Sequence, residues 1–147
     1  TNGPIDVNTT ANLRQSGYEH SMSQHGFKPI TYTIDFELSF EEKAKKFKQI
    51  FEEHPEVDGI FASNDTDAIQ IYNIALSYDK RVPEDLKIIG YDGTDLIRHM
   101  HPELTTIIQP IDSIAQQAVN ALEQRINNEE TEQHMILPVK LWQGTTS

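Results

Sequence analysis

The stretch Val57-Asp58-Gly59-Ile60-Phe61-Ala62-Ser63-Asn64-Asp65 decides the fold. A short apolar run stops at small polar residues, and the apolar residues that follow, Ala68, Ile69, Ile71, Tyr72, Ile74, Ala75 and Leu76, recur at helical spacing. The change of period reads as a strand over 57–63 that passes directly into a helix over 65–79. Apolar residues cover more than one face of that helix, which implies two buried sides, one of them against a sheet. Leu86 to Tyr91 is a further strand, followed by a loop over 92–102, a short extended piece over 104–109, a helix over 112–127 and a last strand over 136–142. In the second helix Ile114, Ala118, Leu122 and Ile126 form the inward stripe.

Upstream the same alternation holds. Residues 8–25 form a helix closed by Gly26 at a left-handed position, and Ile30 to Phe36 alternates as a strand. Ser39 caps the next helix, with Glu41 and Glu42 in its first turn, Phe40, Ala44, Phe47 and Phe51 on one face, and Pro55 beyond its end. Strand and helix in this cadence predict an α/β fold with a parallel sheet and helices on both faces. Ligands of such sheets bind at the carboxyl ends of the strands.

The chain has 147 residues, and 12 basic against 23 acidic side chains give a formal charge of −11. Phosphate-driven nucleic-acid binding needs a clustered basic surface, and Lys45-Lys46 and Lys80-Arg81 are only isolated pairs. No apolar run approaches the roughly 20 residues of a membrane span. The absence of cysteine excludes disulfides, thiolate metal sites and cysteine nucleophiles. Thr1-Asn2-Gly3-Pro4 reads as a loop leaving a strand, so a fragment of a longer protein is expected.

The strand ends select the candidate site. They carry Asn64-Asp65, Asp92, and Phe36-Glu37-Leu38, a set of short polar side chains and an apolar surface suited to a polyol. Asn64 and Asp65 are equally ordinary helix caps, and an acidic rim would show the same composition. Catalysis has little support. Asp92-Gly93-Thr94 resembles part of a phosphatase motif, yet Gly90 stands where its nucleophilic aspartate belongs. There is no Gly-x-Ser-x-Gly elbow, His99 and His101 lack a third metal ligand, and Asn64-Asp65-Thr66-Asp67 lacks the remainder of a calcium loop. The remaining histidines, His20, His25, His54 and His134, fall at helix ends and loops. Two short glycosylation patterns, at Asn8 and Asn64, carry no weight alone. The expectation is a binding protein without metal or cofactor.

Three segments in order carry a family resemblance: residues 57–65; Val82-Pro83-Glu84-Asp85-Leu86-Lys87-Ile88-Ile89-Gly90-Tyr91-Asp92-Gly93-Thr94; and Pro102-Glu103-Leu104-Thr105-Thr106-Ile107-Ile108-Gln109-Pro110. With the terminal Leu137-Pro138-Val139-Lys140-Leu141 they resemble the effector-binding core of the lactose-repressor (LacI) family of bacterial transcription regulators, the sucrose- and ribose-operon repressors above all. The resemblance implies a periplasmic-binding-protein-like fold of type I. Residues 1–108 would be most of the C-terminal subdomain, 109–136 a segment of the N-terminal subdomain, and 137–147 the terminal strand crossing back, with the DNA-binding head outside this chain.

It further implies a sugar effector held by Arg14, Asn64, Asp92 and Gln109, with Leu38 where relatives often place a stacking aromatic. The planar guanidinium of Arg14 suits vicinal hydroxyls. Asp65 would be structural. A homodimer would pair through Ile69, Tyr72, Leu96 and Met100, although the same residues would also suit packing within one subunit. The implied protein is cytoplasmic, free of the membrane, and bound to operator DNA through its head. The alternative with the same fold is a periplasmic or lipoprotein sugar-binding protein serving a transporter.

Overall fold

A computed structural model describes residues 10–130 and 135–147, which fall into two units, one ending at Ile50 and the other beginning at Phe51. The expected helix start at Asn8, the first glycosylation pattern and His134 lie outside the described residues.

In the first unit, α1 spans Thr10–Gln24. It closes as the glycine predicted: Gly26 adopts φ +77°, its amide donates to Ser23 O at 3.1 Å, and the Phe27 amide reaches back to Met22 O at 2.9 Å. The strand expected at Ile30–Phe36 is absent. β-Branched alternation supplies only propensity, whereas a strand exists through a partner's ladder. Here the Ile30 amide donates to the Tyr18 hydroxyl at 3.3 Å, and Asp35 closes a turn by accepting from the Glu37 amide at 3.0 Å.

Helix α2, Phe40–Glu53, starts with a reciprocal cap. The Ser39 amide donates to Glu42 Oε2 at 2.9 Å, and the Glu42 amide donates to Ser39 Oγ at 3.3 Å. Serine's hydrogen bonds hold the Glu42 carboxyl below its ordinary pKa. Phe47 and Phe51 are buried as expected and Ile50 is buried as well, but Phe40 is 67% exposed and leaves the predicted face.

The second unit is built on an open sheet of β1 (Gly59–Phe61), β2 (Lys87–Asp92), β3 (Thr105–Ile108) and β4 (Lys140–Trp142), in that spatial order. β1, β2 and β3 run parallel, with Ile60 opposite Ile88 and Tyr91 opposite Ile107. β4 pairs antiparallel with β3, Leu141 opposite Ile107, so the sheet is mixed where a parallel one was expected. That last strand begins at Lys140 instead of Ile136, because Pro138 has no amide to donate and Ile136 lies 95% exposed.

Helix α3, Asp65–Ser77, connects β1 to β2 and packs on the sheet through Ala68, Ile71, Ile74 and Ala75, against Leu86, Ile88 and Leu104 in the same buried core. Each buried Leu or Ile contributes about 1.5–3 kcal/mol relative to its exposed state. Phe51 and Tyr78 add a tilted ring pair at 5.5 Å between centroids. The expected loop over 92–102 contains a six-residue helix, α4 (Asp95–Met100), capped by Thr94, whose hydroxyl accepts from the Ile97 amide at 3.4 Å. So short a helix shows no apolar period.

Helix α5, Ile111–Ile126, forms where predicted but has no buried residue. Its stripe does not face inward: Ile114, Leu122 and Ile126 are 42%, 59% and 69% exposed. The chain end is anchored more deeply. Thr146 is buried, accepts from the Thr105 amide at 2.9 Å and donates to Ile88 O at 2.7 Å, which ties the lower ends of β2 and β3.

Candidate ligand-binding site

The carboxyl end of β2 turns abruptly. Asp92 has φ +125° and Gly93 φ +60°, both in the region that L side chains rarely adopt. At Gly93 a Cβ would lie 2.7 Å from Ile108 Cα, so glycine is required by conformation and by the close crossing over β3. The Gly93 peptide is held on both sides. Its amide donates to Asp65 Oδ2 at 2.7 Å, and its carbonyl accepts from Arg98 Nε at 3.1 Å. Arg98 also pairs with Asp95 and lies over the Trp142 ring, 5.0 Å from its centroid.

Asp65, the first residue of α3, is only 2% exposed. Its other oxygen accepts from the Thr106 hydroxyl of β3. A Cβ on Gly90 would come within 2.3 Å of that oxygen, so β2 leaves the space for the carboxylate. Burial raises the Asp65 pKa above the ordinary carboxylate value, with the Asp92 charge adding to the rise; hydrogen bonds from Thr106, Gly93 and Tyr91 oppose it.

Asn64 is the N-cap of α3. Its Oδ1 accepts from the Asp67 amide at 2.8 Å, and its Nδ2 donates to Asp67 Oδ2 at 2.8 Å and to Ser63 Oγ at 3.3 Å. The cap role read from sequence is therefore present at the strand end. Asp92 and Gln109 come together directly: Gln109 Nε2 donates to Asp92 Oδ1 at 2.8 Å, and the Gln109 amide donates to Asp92 O at 3.1 Å. Asp92 Oδ2 accepts no hydrogen bond among the described residues, which leaves an acceptor for a hydroxyl.

Gln109 also lines a cleft of about 340 Å³, together with Tyr91, Pro110, Ile114, Ala118 and Leu137. Apolar walls with a few amides suit a small ligand with both ring faces and hydroxyls.

Arg14 lies half-buried on α1 and Leu38 half-buried in the turn ahead of α2, both in the first unit. Of the interface candidates, Ile69 and Tyr72 are half-buried on α3, whereas Leu96 and Met100 stand 67% and 64% exposed on α4. His99 and His101 take separate partners, Asp95 O at 2.6 Å and Glu103 Oε1 at 3.1 Å. No group of three metal-ligating side chains occurs among the described residues.

Sequence reading missed Thr106 and Arg98. The adjacent Thr105-Thr106 within an apolar strand was the available signal, since both are buried and a buried hydroxyl requires a partner. Nothing local marks Arg98.

The profile of periplasmic-binding-protein-like domains matches residues 2–147. The sucrose operon repressor of Pediococcus pentosaceus is 39% identical over 147 residues, covering 99% of this chain and 45% of that protein. The ribose operon repressor of Escherichia coli K12 is 30% identical over 146 residues, 97% of this chain and 44% of its own. Among solved structures, a complex of the transcriptional regulator CelR with cellobiose superposes with a TM-score of 0.81 at 25% identity, covering 99% of this chain and 45% of that one. The chain thus spans less than half the length of these relatives.

Proposed function

The chain belongs to the periplasmic-binding-protein-like domain family and its relatives there are sugar-operon repressors; from that premise we propose that it is the sugar-sensing, effector-binding portion of a lactose-repressor-type transcriptional regulator. The observation that carries the reading is the Asp92–Gln109 pair at adjacent strand ends, one member of which also lines the cleft. Asp92 accepts from a hydroxyl pair, Gln109 donates and accepts beside it, and Asn64 offers its amide from the cap. Arg14 forks onto hydroxyls, and Leu38 supplies apolar contact in place of a stacked ring.

Residues 1–108 are most of the C-terminal subdomain in this reading, 109–136 belong to the N-terminal subdomain and 137–147 cross back. A carbohydrate bonded from both subdomains favours their closed arrangement by its differential affinity for that state. In a cytoplasmic homodimer built on Ile69, Tyr72, Leu96 and Met100, closure changes how two DNA-binding heads, carried elsewhere in the longer protein, meet the operator. The ligand undergoes no reaction. Relatives that are repressors favour this over a transporter's sugar-binding protein, and no helix among the described residues is long and apolar enough to cross a membrane.

A thermal-shift series on the full-length protein with sucrose, D-ribose and cellobiose tests the reading. One sugar should raise the melting temperature, and Asp92→Ala should abolish that rise while leaving the sugar-free transition cooperative. An equal shift in the variant removes Asp92 from the pocket.

A further inference from the structure

The buried Asp65 carboxylate is more than a helix cap. Asn64 already caps α3, accepting from the Asp67 amide. An ionisable group 2% exposed is costly to retain for a task that Ser or Asn would perform on the surface. Both its oxygens are engaged by uncharged donors from two other elements, Gly93 at the end of β2 and Thr106 in β3. Gly90 is bare where the carboxylate passes, and Gly93 is bare where the turn crosses Ile108. Three positions on two strands, Gly90, Gly93 and Thr106, are thus arranged around one carboxylate, and Asp92, between the two glycines, is held at φ +125°.

We propose that Asp65 is a positioning residue of the sugar site: it clamps the Gly93 amide to the Thr106 hydroxyl, and thereby fixes Asp92 in the strained conformation that sets its carboxylate beside Gln109. The proposal rests on the sugar-binding reading above. Asp65 does not touch the ligand; it acts through Asp92. The hydrogen-bond chemistry separates this from simple charge. In Asp65→Asn, Oδ1 still accepts from the Gly93 amide, and Nδ2 donates to Thr106 Oγ1, whose hydroxyl rotates to accept. In Asp65→Ala the Gly93 peptide keeps only its Arg98 contact. Thr106→Val removes one leg of the clamp and preserves strand propensity.

The test uses the full-length protein and whichever of sucrose, D-ribose and cellobiose shifts the wild type most. By calorimetric titration, Asp65→Ala should bind about tenfold or more weakly, because both legs of the clamp are lost, while Asp65→Asn stays close to wild type. Thr106→Val should fall between them. Without sugar, hydrogen exchange followed by mass spectrometry should accelerate at the Gly93 amide in Asp65→Ala and not in Asp65→Asn. Wild-type affinity in Asp65→Ala overturns the proposal. So does an Asp65→Asn protein that folds yet binds as weakly as Asp65→Ala. Should Asp65→Ala not fold, Asp65→Asn and Thr106→Val decide by the same readouts. If the wild type binds none of the three sugars, the sugar reading fails and takes the positioning role with it, whereas unchanged Gly93 exchange in Asp65→Ala refutes the clamp alone.

Discussion

Gly93 is the residue on which the strand-end turn depends, because its left-handed backbone, its contact with Ile108 and its two-sided peptide clamp all have to be met at once. Gly93→Ala should therefore destabilise the protein by about 2 kcal/mol or more, the sum of a left-handed penalty and a forced backbone shift, read as a lower urea midpoint at unchanged slope. Asp65 makes a prediction with a definite sign. Its pKa is raised in the folded state, so folding takes up a proton as the pH falls through that value towards the ordinary aspartate range near about 4. The stabilisation is present at low pH and lost as the pH rises towards neutral. Melting temperatures at pH 4.5 and 7 should show a smaller acid-side gain, or a larger acid-side loss, in Asp65→Asn than in wild type. Equal differences in the two proteins would mean that Asp65 does not titrate in that range. At the residue scale the sequence pointed to Asn64 and Asp92 because strand ends announce themselves, whereas Gln109 came only with the family resemblance. The clamp stayed hidden because its partners lie 28 and 41 residues from Asp65 in the chain.

At the scale of elements, the helix start at Asn64 has a local capping role and the ligand role proposed for it, and substitution can separate the two. Asn64→Ala removes the acceptor for the Asp67 amide and should cost about 1 kcal/mol in chemical unfolding. Asn64→Ser keeps a capping oxygen but removes the carboxamide, whose Oδ1 has a second lone pair for a ligand hydroxyl, so stability should stay near wild type while sugar affinity falls. Loss of neither would place Asn64 outside the ligand shell. Elements with their own chemistry were legible: the Ser39–Glu42 cap, the Gly26 terminator and the apolar core strands β1 and β2 all appear where the residues put them. Those defined by a partner were not. Ile30 to Phe36 has the composition of a strand and no ladder, while Lys140–Trp142 lies within the strand expected over 136–142 but takes its start and its antiparallel direction from Thr106 to Ile108 beside it. Helix α4 was too brief for periodicity, although Thr94 and Asp95 were already a cap and a first-turn acid.

At the scale of the molecule, α5 is the element whose sequence and surroundings disagree. It is amphipathic by pattern, yet Val119, Leu122 and Ile126 are 52%, 59% and 69% exposed, and together they form an apolar stripe of the kind that normally meets a partner. The family relationship supplies a reason. The chain spans 45% of the sucrose operon repressor it resembles, and the proposed assignment of residues 109–136 to the other subdomain puts the residues that would cover α5 outside this chain. That account predicts opposite effects of one substitution pair in two contexts. In the 147-residue chain, Leu122→Glu with Ile126→Glu should raise solubility and reduce binding of a hydrophobic dye, since nothing packed is disturbed. In the full-length protein the same pair should lower the unfolding free energy by about 3 kcal/mol or more, as two buried aliphatic side chains are replaced by charges without partners. A full-length protein that tolerates both glutamates without loss of stability would mean that the stripe is open there too, and that residues 109–136 do not pack into a second subdomain.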